Sequence, residues 1–156
     1  MTIQEQRMCE EQAIFFELSL KCFSCSSSYF VARFMNSDIA SELDDIDDPY
    51  NFISPNNLIT AMANKYPSLN EQEGIKASEK AIKWIGYIYR AYAIIKKTCS
   101  SKTYKDLKFE KMVSLYDSFH TFDPDYCVDR LEEIIKQAKP VVKTDYEIFK
   151  EIYSSK

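Results

Sequence analysis

Glycine is almost missing from this sequence, since only Gly74 and Gly86 occur among 156 residues. Tight β-hairpins depend on glycine for positive φ angles, and the chain has no Asn-Gly or Asp-Gly pair. Phosphate-binding loops and dinucleotide-binding turns each need several glycines within one short stretch. The scarcity of glycine therefore argues against a β-sandwich and excludes both kinds of nucleotide-binding loop.

Long apolar runs are missing as well. The longest, residues 81–95, contains Lys83 and Arg90 and is too short and too charged to span a bilayer. Residues 1–11 are acidic and polar, unlike the basic start of a secretory signal. The 5 cysteines are odd in number and scattered, which favours free thiols in a reducing compartment. We therefore predict a cytoplasmic protein without a membrane partner.

The residues that are present suffice for one helical domain. Apolar residues make up 46% of the chain and charged residues 28%, a profile typical of a folded domain. Apolar side chains recur at helical spacing, and the pairs Ser54-Pro55 and Asp123-Pro124 are typical helix starts. We predict an all-α fold, a single compact bundle of about six to seven helices over residues 1–156. Residues 140–156 are predicted to form a peripheral C-terminal helix.

The strongest segment is a predicted helix at residues 78–99 that is apolar nearly all round, which places it at the centre of the bundle. Gly86 costs about 1 kcal/mol relative to alanine in a helix interior, so we expect a neighbouring helix to approach closely there. Arg90 interrupts the apolar surface, and two interpretations stay open. It pairs with an internal carboxylate, or it forms an exposed binding patch with Trp84 and Tyr87.

Two further helices are predicted from caps and from apolar spacing. One begins at the serine run 26–28, a set of candidate N-caps, and ends in the acidic stretch 42–48. The other covers residues 104–119.

The net charge of −4 is unevenly distributed, because residues 1–50 carry −7 and residues 90–111 carry +5. Four lysines in the basic segment recur at every third position and are expected to share one helical flank: Lys102, Lys105, Lys108 and Lys111. The flank is either a solvated face or a site for an anionic partner, protein or nucleic acid. Overall acidity argues against non-specific DNA binding.

Three features resemble chemical sites without meeting their requirements. Cys22 and Cys25 form a CxxC, but zinc needs further ligands and a redox pair needs a βαβ context, so buried structural thiols are expected. The acidic stretch 42–48 lacks the glycine of a calcium loop, so a solvated loop or the acidic half of an interface is expected. His120, the only histidine, can pair with Cys127 on paper, although bonding to a backbone carbonyl is commoner. We predict no catalytic residue, no cofactor and no metal.

The chain contains four short segments with aromatic residues: Ser-Ser-Ser-Tyr-Phe at 26–30, Phe-Met at 34–35, Trp-Ile-Gly-Tyr-Ile-Tyr-Arg at 84–90 and His-Thr-Phe-Asp-Pro at 120–124. Together they resemble a family of small helical bacterial proteins associated with toxin–antitoxin-like gene clusters. The resemblance covers about residues 14–138. It implies an antitoxin-like or accessory protein that binds a toxin.

The first functional prediction is a non-catalytic protein-binding protein, antitoxin-like in masking another protein. Its predicted partner-binding residues are Trp84, Tyr87, Arg90, Lys102, Lys105 and Lys108. The alternative is a helical enzyme or small-ligand binder, in which Arg90 grips an anionic group. The residues predicted to line that pocket are Tyr89, Arg90, His120 and Asp123. A DNA-binding regulator ranks last, because the basic helix lacks a short turn before it. A homo-oligomer is compatible with the sequence.

Overall fold

The fold consists of nine helices over residues 1–45, 54–139 and 145–154, which a computed structural model describes. They are α1 (Ile3–Cys22), α2 (Ser27–Met35), α3 (Asp38–Leu43), α4 (Pro55–Lys65), α5 (Glu79–Ile95), α6 (Ser100–Asp106), α7 (Phe109–Phe119), α8 (Pro124–Ala138) and α9 (Asp145–Ser154). A short 3-10 turn at Pro67–Asn70 follows α4, and the described residues contain no strand. The predicted all-α bundle is confirmed.

Polar caps set several of the helix starts. Ser26, Ser54 and Ser78 each stand just before a helix, and each hydroxyl accepts a hydrogen bond from a backbone N–H of the first turn. These bonds satisfy N–H groups that a helix start leaves without a partner. Pro124 begins α8 directly after Asp123, as predicted, but the Asp123 carboxylate makes no capping hydrogen bond.

The bundle has more helices than predicted because two predicted helices are each broken. The first break is at Ser37, whose hydroxyl accepts a hydrogen bond from the Ala40 N–H at 3.1 Å and so begins α3. The second is at Leu107, a buried residue whose carbonyl accepts the hydroxyl of Tyr89 at 2.7 Å. Apolar spacing continues across both breaks, and the periodicity alone therefore did not reveal them.

Helix α5 lies at the centre of the bundle and packs most extensively against α1. Glu17 lies near Lys83 and Gln12 lies near Gly86, so the two helices run antiparallel. A Cβ on Gly86 would come within 2.8 Å of Phe16 Cγ and 2.9 Å of the Gln12 carbonyl oxygen. The close helix approach predicted at Gly86 is confirmed, and α1 is the neighbour.

Aromatic side chains pack α2 against α1. Phe15 and Phe16 of α1 meet Phe30 and Phe34 of α2 edge to face, with ring centroids 4.9–5.6 Å apart. Edge-to-face pairs each contribute about 0.5–1.5 kcal/mol beyond the burial of their area. This cluster holds α1 in place, and α1 forms one wall of the groove described below.

The C-terminal helix α9 exposes apolar side chains at Tyr146, Phe149 and Ile152. Within the described ranges, every helix falls short of the length and hydropathy that crossing a bilayer requires.

Candidate functional site

Arg90 lies inside the protein, with 2% of its surface exposed. Its guanidinium donates to Asp44 at 2.7 Å, to the Gln12 side-chain oxygen at 2.9 Å and to the Ser100 hydroxyl at 3.2 Å. Ser100 in turn donates its N–H and its hydroxyl to Asp44 at 2.9 and 2.7 Å. Of the two interpretations of Arg90, the structure supports the internal ion pair. The prediction that Arg90 forms an exposed patch with Trp84 and Tyr87 is therefore wrong for Arg90.

Helix geometry explains the error. An α-helix turns by about 100° per residue, so each step of three residues shifts the direction of a side chain by about 60°. Trp84 and Arg90 are two such steps apart and therefore point about 120° away from each other. Trp84 and Tyr87 are half-buried at the surface, whereas Arg90 points towards α3 and α6.

The four residues of the predicted ligand pocket do not converge. Tyr89 is fully buried, donates its hydroxyl to a backbone carbonyl, and has its pKa raised by burial. Arg90 faces Asp44 in the interior. His120 and Asp123 are both exposed. The four residues therefore do not line one common cavity: Arg90 and Asp44 line one hollow, and His120 lines another.

The acidic segment 42–48 is more than a solvated loop, because Asp44 is drawn into the interior. The Asp44 side chain is only 13% exposed and bonds to Arg90 and Ser100. Asp47 and Asp48 lie outside the described residues.

The lysines of the basic segment do not share one helical flank. Lys102 and Lys105 belong to α6, Lys108 stands just before α7, and Lys111 lies within α7. All four are exposed. The prediction of a shared flank is wrong because the helix is broken in the middle of the segment.

The cysteines and the histidine lie in different environments, since Cys127 is buried and His120 is exposed. Cys22 is exposed and Cys25 is buried, so the expectation of two buried thiols holds for Cys25 alone. Burial raises the pKa of Cys127 to about 12, which keeps it a protonated thiol at neutral pH. His120 Nδ1 lies 2.8 Å from the Tyr116 carbonyl oxygen, and since a carbonyl only accepts, Nδ1 carries the proton. The described residues contain no group of three or more metal-ligating side chains.

A surface groove brings together Trp84, Tyr87 and His120. Helix α5 forms its floor, α1 forms one wall and α7 forms the other. The residues that line it are Glu10, Ala13, Ile14, Lys80, Lys83, Trp84, Tyr87, Tyr116 and His120. The groove is open to solvent and has a volume of about 520 Å³. That volume lies within the range of sites that take ligands or the side chains of a partner.

Ring contacts hold the groove's surface in place. Trp84 meets Tyr116 edge to face at a centroid distance of 5.7 Å, and Tyr116 stacks on His120 at 4.4 Å. Ile14 on the opposite wall is 41% exposed. Partly exposed tryptophan and tyrosine rings beside an aliphatic side chain are typical of interface hot spots.

The groove carries opposite charges at its two ends. Lys80 and Lys83 lie at the start of α5, where Lys80 is exposed. At the other end, Glu10 lines the groove beside Tyr87. Burial above all, helped by the negative charges of Glu10 and Asp125, raises the pKa of Tyr87. A bound segment that spans the groove would meet Lys80 and Lys83 at one end and Glu10 at the other.

Sequence reasoning missed part of the lining, namely Glu10, Ala13, Ile14, Lys80, Lys83 and Tyr116. Tyr116 lies on α7, the helix that ends just before His120. Its spacing of four residues from His120 was the signal that could have revealed a shared surface. Ile14 and Glu10 belong to α1, 70 or more residues earlier in the chain than Trp84, so no local pattern connects them to it.

No family model, no curated protein and no solved structure matches this chain.

Proposed function

We propose that this protein is a non-catalytic binding protein whose groove takes an amphipathic helix of a protein partner. The observation that carries the proposal is the set of half-buried aromatic rings, Trp84, Tyr87 and Tyr116, in one open groove with charged groups at both ends. Side chains packed in this way discriminate partners by shape and charge.

The shape of the groove favours a helix as the bound element. The α5 residues that line the groove, Lys80, Lys83, Trp84 and Tyr87, follow the spacing of one helix face over two turns. Two flanking helices turn this face into a straight channel about 10.5 Å long, from the rise of about 1.5 Å per residue. Helix-in-groove recognition uses anchors at the same spacing on the partner.

Charge specifies the partner further. The bound helix would place an acidic side chain towards Lys80 and a basic side chain towards Glu10, with apolar anchors between them. The antitoxin-like role implied by the sequence resemblance fits this proposal, with the groove masking a helix of a toxin. We place that binding in the cytoplasm, where the exposed thiols of Cys22 and Cys99 stay reduced.

A selection experiment tests the proposal. The full chain is used as bait for a phage-displayed library of amphipathic helices, in parallel with the variants Ile14→Glu and Ile75→Glu. Both isoleucines are exposed, but Ile14 lines the groove and Ile75 does not. We expect the native chain and Ile75→Glu to enrich the same helices, with an acidic residue ahead of the apolar anchors, and Ile14→Glu to lose them. Enrichment that is equal on all three baits would contradict a helix-binding groove.

A further inference from the structure

We infer that the helix bound in the groove carries arginine residues at its C-terminal end, and that these arginines dock on the surface where α7 meets α8. This inference rests on the proposed function, because it adds a second recognition element to the helix that the groove takes. We call this surface the α7–α8 corner. It consists of four exposed residues, Phe122, Asp123, Asp125 and Tyr126.

The charges at the two ends of the groove are not compensated equally. At the basic end, Lys83 lies 3.5 Å from Glu17, which offsets part of the positive charge. At the acidic end, Glu10, Asp123 and Asp125 are all exposed. In the part of the chain that the structure describes, none of these three carboxylates takes part in an ion pair or a side-chain hydrogen bond. The acidic end therefore has the larger unmet demand for opposite charge.

The three carboxylates lie around one end of the groove. Glu10 lines the groove beside Tyr87, and His120, on the wall formed by α7, stands three residues before Asp123. Asp125 lines a hollow formed with the last turns of α5. Burial raises the pKa of Tyr87, and the negative charges of all three carboxylates raise it further. The negative potential therefore extends from the groove onto the α7–α8 corner.

The bound helix adds a negative charge of its own at this end. In the orientation that the charges of the groove favour, its N-terminus lies towards Lys80 and its C-terminus towards Glu10. A helix carries about half a negative charge at its C-terminus, which repels these carboxylates unless a cation lies between them. Basic side chains in the last turn of the bound helix, or just after it, compensate both sources of negative charge.

The exposed rings of the α7–α8 corner favour arginine over lysine. Phe122 and Tyr126 are 36% and 52% exposed, and their rings meet edge to face at a centroid distance of 5.0 Å. Asp123 and Asp125 lie between these two rings in the sequence. A guanidinium group stacks on an aromatic ring and donates two parallel hydrogen bonds to a carboxylate, whereas an ammonium group is a compact and strongly hydrated charge. Rings and carboxylates side by side therefore match arginine.

Binding of matched synthetic helices to the full chain tests the inference. The probe is a labelled helix that was enriched on the groove and loses binding in Ile14→Glu, prepared with Arg-Arg, Lys-Lys or Gln-Gln after its last apolar anchor. Fluorescence anisotropy measures Kd. We expect the Arg-Arg helix to bind about tenfold more tightly than the Gln-Gln helix and about threefold more tightly than the Lys-Lys helix. The advantage over Gln-Gln should shrink at high salt.

Two double variants of the chain locate the charge effect. Asp123→Asn with Asp125→Asn removes the carboxylates of the α7–α8 corner, and since neither makes a side-chain hydrogen bond, the fold should be retained. Glu71→Gln with Glu73→Gln is the matched control, because it removes the same charge from an exposed stretch before α5. The first variant should reduce the advantage of Arg-Arg over Gln-Gln to below about twofold, and the control should retain it. An equal advantage in both double variants would overturn the inference.

Tyr126→Ala separates the preference for arginine from the general preference for positive charge. In this variant we expect the Arg-Arg and Lys-Lys helices to bind equally well, and both to bind more tightly than the Gln-Gln helix, because the carboxylates remain. A preference for arginine that survives this change would contradict the α7–α8 corner as its docking site.

The inference and the proposed function fail in different ways. A helix that binds the native chain equally well with all three endings, and loses binding in Ile14→Glu, contradicts the α7–α8 corner alone. A library that yields no helix sensitive to Ile14→Glu contradicts the groove itself.

Discussion

The two sides of α5 contain similar residue types, but one side is buried and the other lines an open groove. On one side, Arg90 is buried, and its guanidinium donates to Asp44, Gln12 and Ser100. On the other side, Trp84 and Tyr87 line a groove that is open to solvent. Arginine, tryptophan and tyrosine are all enriched in binding hot spots, yet the direction of each side chain around the helix decides which of them is available. Four predictions test this division.

The largest effect is expected inside the protein, at Arg90. Replacing Arg90 with methionine leaves the Asp44 carboxylate, 13% exposed, without its cation, and breaking such a pair on one side typically costs about 3–5 kcal/mol. We expect a loss of this order in the free energy of unfolding, measured by urea denaturation. The double variant Arg90→Met with Asp44→Leu should recover much of the loss. A single variant that is less stable by under about 1 kcal/mol would contradict a buried ion pair that joins α3, α5 and α6.

The next effect is expected at Gly86, where α1 approaches α5. Alanine would improve helix propensity by about 1 kcal/mol, but its Cβ would collide with Phe16 and with the backbone of Gln12. Since the backbone cannot yield cheaply, Gly86→Ala should lower stability by about 1–3 kcal/mol in thermal unfolding. A variant that melts higher than the native chain would show that α1 is not so close.

On the groove side, function should change more than stability. Trp84→Ala removes a half-buried ring and its edge-to-face contact with Tyr116, so we expect a stability loss of about 1–2 kcal/mol and a loss of helix binding of about tenfold or more. Arg90→Met is the reciprocal control, because its folded fraction should bind as the native chain does. Titration of both variants with a selected helix checks the comparison. Equal losses of helix binding in the two variants would contradict the claim that only the groove side of α5 binds the helix.

The smallest effect concerns a surface ion cluster, which contrasts with the buried pair. Lys136 and Lys96 lower the pKa of Glu132 to about 2. A carboxylate with a lowered pKa stabilises the folded state above its ordinary pKa of 4.5, and this contribution is lost as the pH falls from 4.5 towards 2. Stability should therefore decrease over that range, less steeply for Glu132→Gln, and the difference should shrink at high salt. An unchanged slope in the variant would show that the cluster contributes nothing.

Local signals predicted the helices, and long-range contacts decided the site. Ser54-Pro55 and Asp123-Pro124 were identified as helix starts because caps and prolines act within one turn. The partner of Arg90 was not identifiable, because Asp44 lies 46 residues earlier within a stretch of several equivalent acids. The same limit applies to the wall of the groove, where Ile14 meets Trp84 only through the packing of α1 on α5. The spacing of residues along one helix predicts the direction in which each side chain points. Which residues of different helices are in contact is known only once the fold is known.

The central claim is that the groove binds a helix. Its most direct test is to titrate the full chain with a helix selected on the groove and to measure the emission of Trp84. Because this side chain is the sole tryptophan, the signal comes from the groove and from nowhere else. The account predicts a saturable shift to shorter wavelength that is lost in Ile14→Glu and retained in Ile75→Glu. An emission spectrum that stays constant while the helix binds would place the binding surface elsewhere on the molecule.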